Sequence, residues 1–120
     1  MSIHLDYSVL SALQDVMEDE YLTLLEVFLK DSEQRVTQMR QTLDDQHPDL
    51  QALSLNAHSF KGSSSNMGAL RLSDLCRQLE DQARRGQQEG LKALVALIDS
   101  EYLTICRLFD AERQLLMSQT

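Results

Sequence analysis

The chain has 120 residues, 42% of them hydrophobic and only 5% aromatic, with one Pro, four Gly and no Trp. That length suits one domain with one core, residues 1–120, and so few turn residues exclude a sandwich or barrel of short strands. A formal net charge of −8 and a pI near 4.7 oppose docking on nucleic-acid phosphates or anionic lipid, so neither partner is expected.

No run of about 18 apolar residues exists to span a bilayer. The opening MSIHLDYSVL lacks a basic segment followed by an apolar one, so no signal peptide and a cytoplasmic location are expected. Cys76 and Cys106 fall on apolar helical positions and read as small buried hydrophobes rather than as a disulfide.

In chain order, Asp6 can cap a short helix from Tyr7 to about Met17. A second helix is expected from about Glu20 to Leu43, because Tyr21, Leu25, Phe28, Ser32, Val36, Met39 and Leu43 recur every three or four residues. Its first half also carries Leu22, Leu24, Val27 and Leu29, so it is apolar nearly all round, and the short first helix reads as a lid over part of that excess. Asp44 to Pro48 form a polar break, with Pro48 suited to the first turn of the next helix. The third helix carries Leu50, Leu53, Ala57, Phe60, Ser64 and Met67, and Gly68 ends it. Ala69, Leu72, Leu75, Cys76, Leu79 and Ala83 form one face of a fourth helix, broken by Gly86 to Gly90. Leu91, Leu94, Ile98, Tyr102, Ile105, Phe109 and Leu116 form the face of a fifth. Four long amphipathic helices with short connections predict an all-α, antiparallel up-and-down four-helix bundle with an extra short N-terminal helix. A bundle complete in one chain is expected to be a monomer.

On a wheel of about 100° per residue, His58 falls about 130° from the centre of the third helix's seam. It therefore faces water, with Ser54, Lys61, Gly62 and Ser65 on the same side. Gly62 costs a helix interior about 1 kcal/mol relative to Ala, and its place one turn beyond His58 leaves the imidazole uncrowded. Lys61 is a mobile point charge within reach of whatever the ring carries, and suits a phosphoryl group. Ser63, Ser64 and Ser65 are poor helix formers that keep the surface flat, and Leu55 is an exposed apolar contact. The competing readings are an ordinary surface histidine, close packing at Gly62 and a solvated lysine.

The stretch AHSFKGSSSNMGALRLSDLCRQLE, from Ala57 to Glu80, resembles the signature of histidine-containing phosphotransfer (HPt) domains: an AH-x-x-KGSS core, a GA pair and an L-x-x-x-C-x-x-LE tail. LDYSVLSALQDVMEDEYLTLLEVFLKDS looks like the family's first two helices, and the length is similar to that of a small stand-alone bacterial member of the B type. The resemblance implies that His58 is the phosphorylated histidine and that Lys61 and Gly62 are the lysine and glycine beside it. It puts Glu80 where some members place a ring-orienting glutamine. Because an ionised carboxylate only accepts hydrogen bonds, Glu80 would act through the ring N–H or through water. Arg84 resembles a basic residue that assists docking, and Ser63 lies next to the site. The implied activity is that of a phosphocarrier without kinase activity of its own. It accepts a phosphoryl group from a receiver-domain aspartate of a hybrid sensor kinase and passes it to the aspartate of a response regulator. Magnesium is expected on the partner receiver, and no cofactor or metal on this chain.

Three other classes are weaker. An autonomous kinase lacks a GxxxxGK[ST] loop. A di-iron bundle lacks inward Glu-x-x-His pairs, and His4 and His47 read as ordinary surface residues. A non-catalytic adaptor that binds receivers is the alternative, and the intact set of His58, Lys61 and Gly62 counts against it.

Overall fold

Residues 3–118 are described in the computed structural model of the protein, and every regular element among them is helical. Helix α1 spans Tyr7–Met17, a single 3-10 turn spans Glu18–Glu20, and α2 spans Tyr21–Asp44; α3 is Leu50–Asn66, α4 is Leu70–Arg84 and α5 is Leu91–Met117. Helix α2 packs on α3 and α5, and α4 packs on the same two helices, so α2 to α5 form a closed four-helix ring about 51 Å long and 21 Å across. The expected bundle with an extra N-terminal helix is what forms.

The periodic residues make that core. In α2, Tyr21, Leu25, Phe28, Ser32, Val36, Met39 and Leu43 are the buried positions, and in α4 they are Leu72, Leu75, Cys76, Leu79, Glu80 and Ala83. The α2 and α5 faces meet at Phe28 and Phe109, whose ring centroids lie 5.8 Å apart in a tilted pair, a favoured aromatic geometry. Leu22, Leu24 and Leu29 are partly buried against the core while Val27 stays exposed. Both cysteines are free, Cys76 in the core. Burial pushes the Cys76 thiol up to about 12, which keeps it protonated and unreactive.

Pro48 is not in the first turn of α3. It precedes Asp49, whose side chain accepts the Ala52 N–H at 3.0 Å and caps the helix, because an Asp at this boundary satisfies a donor that a proline cannot. At the other end, the Gly68 N–H donates to the Ser65 carbonyl and the Ala69 N–H to the Ser64 carbonyl, with Gly68 at φ +74°. These paired bonds close α3 in a Schellman turn.

The N-terminal segment is anchored to that turn. The Asp6 N–H donates to the Gly68 carbonyl at 2.8 Å, and Leu5 lies in the core. His4 is not an ordinary surface residue: its Nδ1 lies 2.7 Å from the buried carboxylate of Glu101, which Arg71 approaches at 3.5 Å. Hydropathy patterning could not reveal this, since Glu101 sits among apolar positions of α5 and its partners come from two other segments.

Gly68 allows no side chain. A Cβ there would lie 2.9 Å from the Asp6 carbonyl oxygen and 3.1 Å from Val9 Cβ, in a left-handed backbone that already disfavours one. Gly68→Ala should therefore lower stability by about 2 kcal/mol in urea unfolding.

Candidate functional site

His58 stands in the middle of α3, its core neighbours Ala57 and Phe60 fully buried and its own side chain 63% exposed. The wheel direction is thus correct, and so is the exposure of Leu55 at 64%. What the wheel does not give is the ring's partner. Glu80, on the facing side of α4, has a carboxylate only 7% exposed. One oxygen lies 2.8 Å from His58 Nδ1 and the other accepts from Lys61 Nζ at 2.7 Å; an Arg84 guanidinium nitrogen donates to the first at 2.7 Å. Helical spacing brings this about. His58 and Lys61 are three apart on α3, Glu80 and Arg84 four apart on α4, so each pair shares a face.

A buried carboxylate is stable only when paired and hydrogen-bonded, and here three donors converge on one. The hydrogen bonds from Lys61 and His58 hold the Glu80 carboxyl below the usual carboxylate range against the opposing effect of its burial. Glu80 is therefore ionised and can only accept. His58 Nδ1 must then carry the proton, and in the neutral ring Nε2 holds the lone pair. The arrangement presents a nucleophilic nitrogen to solvent with its tautomer and orientation set from below. The orientation is direct, with no water between ring and carboxylate.

The remaining residues divide. Ser54 Oγ donates to the Glu80 main-chain carbonyl at 3.4 Å, which supports the hub. Ser73, which the sequence did not single out, donates to the Lys61 carbonyl at 3.1 Å. Ser63 does not join the cluster: its hydroxyl donates to the Phe60 carbonyl, and it lines a shallow groove with Leu24, Val27, Phe28, Asp31, Asn66 and Met67 between α2 and α3. Ser65 is exposed. Lys61 is more than a solvated charge, because its partner is buried while it is itself 32% exposed. Arg84 is 69% exposed, held at its tip and otherwise open to solvent. No group of three or more His, Cys, Asp or Glu is placed to hold a metal ion among the described residues.

Gly62 lies within α3, and a Cβ built on it would meet nothing within 4 Å. Close packing is therefore not why a glycine stands there. It weakens the helix without serving the fold, and what it contributes is open surface one turn from the imidazole.

The helical bundle thus holds one imidazole out to solvent, orients it from a neighbouring helix and flanks it with cations. The model of the Hpt domain matches residues 23–112; the chain belongs to the Hpt domain family, whose members are phosphorelay intermediates. It is similar to the crystal structure of histidine-containing phosphotransfer protein B (HptB) from Pseudomonas aeruginosa PAO1, with 47% identity, a TM-score of 0.90 and coverage of 95% of this chain and 97% of that one. It is 25% identical to histidine-containing phosphotransfer protein 2 of Arabidopsis thaliana over 93% of this chain and 76% of the relative. The fold is also that of the Saccharomyces cerevisiae histidine phosphotransfer signaling protein Ypd1, at 17% identity and a TM-score of 0.66, over 99% of this chain and 95% of that one. That protein was solved with the receiver domain of its downstream response regulator Ssk1.

Since Gly62 has open space and ordinary helical geometry, Gly62→Ala should raise stability by about 1 kcal/mol, the helix-propensity difference, read as a higher urea midpoint. The opposite signs at Gly62 and Gly68 separate a glycine kept for the surface from one kept for the backbone.

Proposed function

We propose that His58 is the phosphoacceptor of this phosphorelay protein. It takes the group from the receiver-domain aspartate of a hybrid sensor kinase and delivers it to the aspartate of a response regulator. The observation that carries this reading is the exposed ring whose Nδ1 is engaged by an ionised Glu80. His58 Nε2 attacks the phosphorus of the aspartyl phosphate, the N–P bond forms as the P–O bond to the aspartate breaks, and the electron pair leaves with that carboxylate. Transfer is in line, and positioning with electrostatic stabilisation does most of the catalysis. Lys61 and Arg84 are the cations within reach of the charge that moves. Magnesium belongs to the receiver. The protein acts as a cytoplasmic monomer, a location in keeping with the absence, among the described residues, of any helix long and apolar enough to cross a membrane.

The receiver must cover His58 and its surroundings. Leu55 and the open surface at Gly62 lie on that face. The groove between α2 and α3, with Leu24, Val27 and Met67 in it, offers apolar contact at its edge. The receiver-bound yeast relative supports receiver domains as the partner class. An adaptor that binds without transfer would need neither an oriented imidazole nor a carboxylate holding its tautomer.

The test is transfer from a radiolabelled phospho-receiver. Wild type should gain label that is stable in base and lost in acid, and His58→Gln should gain none. Lys61→Ala should accept more slowly than wild type and also lose stability, because it strips a donor from a buried carboxylate. Gly62→Trp should stay folded yet transfer poorly. Receiver binding by wild type with no label from its cognate phospho-receiver would leave the adaptor reading instead.

A further inference from the structure

We infer that Glu80 keeps the Nδ1 proton on His58 throughout the relay, so that the phosphorylated ring is an imidazolium that can give up its phosphoryl group without first acquiring a proton. This rests on His58 being the phosphoacceptor. The argument starts from the hydrogen bond at 2.8 Å between His58 Nδ1 and an oxygen of Glu80 that is almost wholly buried.

Before transfer the ring is neutral, with its proton on Nδ1 and a lone pair on Nε2. When Nε2 bonds to phosphorus and the aspartate departs with its electron pair, the ring becomes a phospho-imidazolium bearing one positive charge. In water that ring can lose the Nδ1 proton and become a neutral phosphoimidazole. Breaking N–P in the neutral form expels an imidazolate anion, a poor leaving group. Beside Glu80 the positive ring has a buried carboxylate at hydrogen-bond distance beneath Nδ1, on the side away from solvent, where opposite charges attract more strongly than in water. The ring keeps its proton, and cleavage of N–P returns the electron pair to Nε2 and regenerates the starting tautomer. No proton enters or leaves in either half of the relay.

The charged groups at the ring are Lys61 from α3 and Glu80 and Arg84 from α4. From α2, Arg35 meets α3 at Asn56, about 200° round the wheel from His58. The negative charge beside Nδ1 is therefore Glu80's. A neutral amide at position 80 could accept the same hydrogen bond yet could not balance the ring's charge, so Glu80→Gln separates geometry from charge. Glu80 on this account is a positioning residue for the proton, acting through His58 rather than on the phosphoryl group.

The test is nitrogen NMR on histidine-labelled protein phosphorylated with phosphoramidate, which needs no receiver. At mildly alkaline pH, phospho-His58 of the wild type should show a protonated Nδ1, and that of Glu80→Gln a deprotonated one. Discharge to a receiver at that pH should be about a hundredfold slower in Glu80→Gln, the low end of what proton placement contributes to catalysis. Arg84→Ala, which keeps the carboxylate, should retain the Nδ1 proton. A wild-type Nδ1 that deprotonates at the same pH as the Gln variant, or equal discharge rates, overturns this inference and leaves the phosphoacceptor intact. A ring labelled neither by phosphoramidate nor by a phospho-receiver overturns the relay reading and this one with it. The wild-type spectrum decides the matter even if Glu80→Gln folds poorly.

Discussion

The site depends on one buried charge. Glu80 sits between α3 and α4 with 7% of its side chain exposed, where a lone carboxylate would be strongly destabilising. It is stable there because an imidazole N–H, an ammonium and a guanidinium converge on it. The dependence runs in both directions. The carboxylate needs the donors, and the donors are ordered by it: without Glu80, His58 would be a surface side chain free to turn about its bonds, with no preferred nitrogen facing out. Removing one partner of a buried pair typically costs about 3–5 kcal/mol. A substitution made to probe chemistry here therefore also probes the packing of α3 on α4.

The placement of stability around the site follows from this. Residues 62–65 of α3 are a glycine and three serines, all weak helix formers, and the outward positions carry His58 and Leu55 where a soluble helix would carry charges. The helix holds because its ends and its inner face are well made. Asp49 caps the start, a Schellman turn closes the finish, and Leu53, Ala57 and Phe60 are buried. The N-terminal segment reinforces that closing turn through the Asp6 to Gly68 bond, and Glu101 ties His4 and Arg71, which stand two and three residues from the two ends of that bond. The surface of α3 is thereby relieved of structural duty, and can be shaped for another protein to approach.

Much of this was legible in the sequence, for a definite reason. A helix of period 3.6 makes direction readable, so the buried set of α2 and the outward face of His58 follow from spacing alone. Ends were less readable. Pro48 invites the first helical turn, but the stronger local term is the Asp49 side chain accepting an amide proton. Partners across helices were not readable at all, because a wheel gives an angle within one helix and nothing about the register between two. Glu80 could be suspected from its family position, and Arg84 stands four residues on in the same helix, yet the bond of Glu80 to Lys61, like those of Glu101 to His4 and Arg71, exists only once the bundle has set that register. The sign of a charged residue at an apolar helical position was the available signal: both Glu80 and Glu101 fall on the core faces of their helices, where a carboxylate demands cationic company.

The local charge of the site runs against that of the whole protein. The chain carries a formal −8, yet one carboxylate set against Lys61 and Arg84 leaves one net positive charge around the neutral ring. Depth separates the signs. The carboxylate is buried beneath Nδ1, whereas the two cations are 32% and 69% exposed and border the solvent face of the ring, from which a phosphoryl group would arrive on the proposed function. Negative charge brought to Nε2 thus approaches from the side on which the lysine and the arginine are exposed, with the ring between it and the carboxylate. An acidic surface discourages nonspecific polyanion binding, and Lys61 and Arg84 set a cationic rim beside the ring within it. Because the rim charges are exposed and the carboxylate is not, salt screens the attraction for an approaching partner far more than it weakens the bond that orients the ring. On the proposed function, the attraction of partners and the readiness of the nucleophile therefore fall to the same three side chains, but at different depths and with different sensitivity to the solution around them.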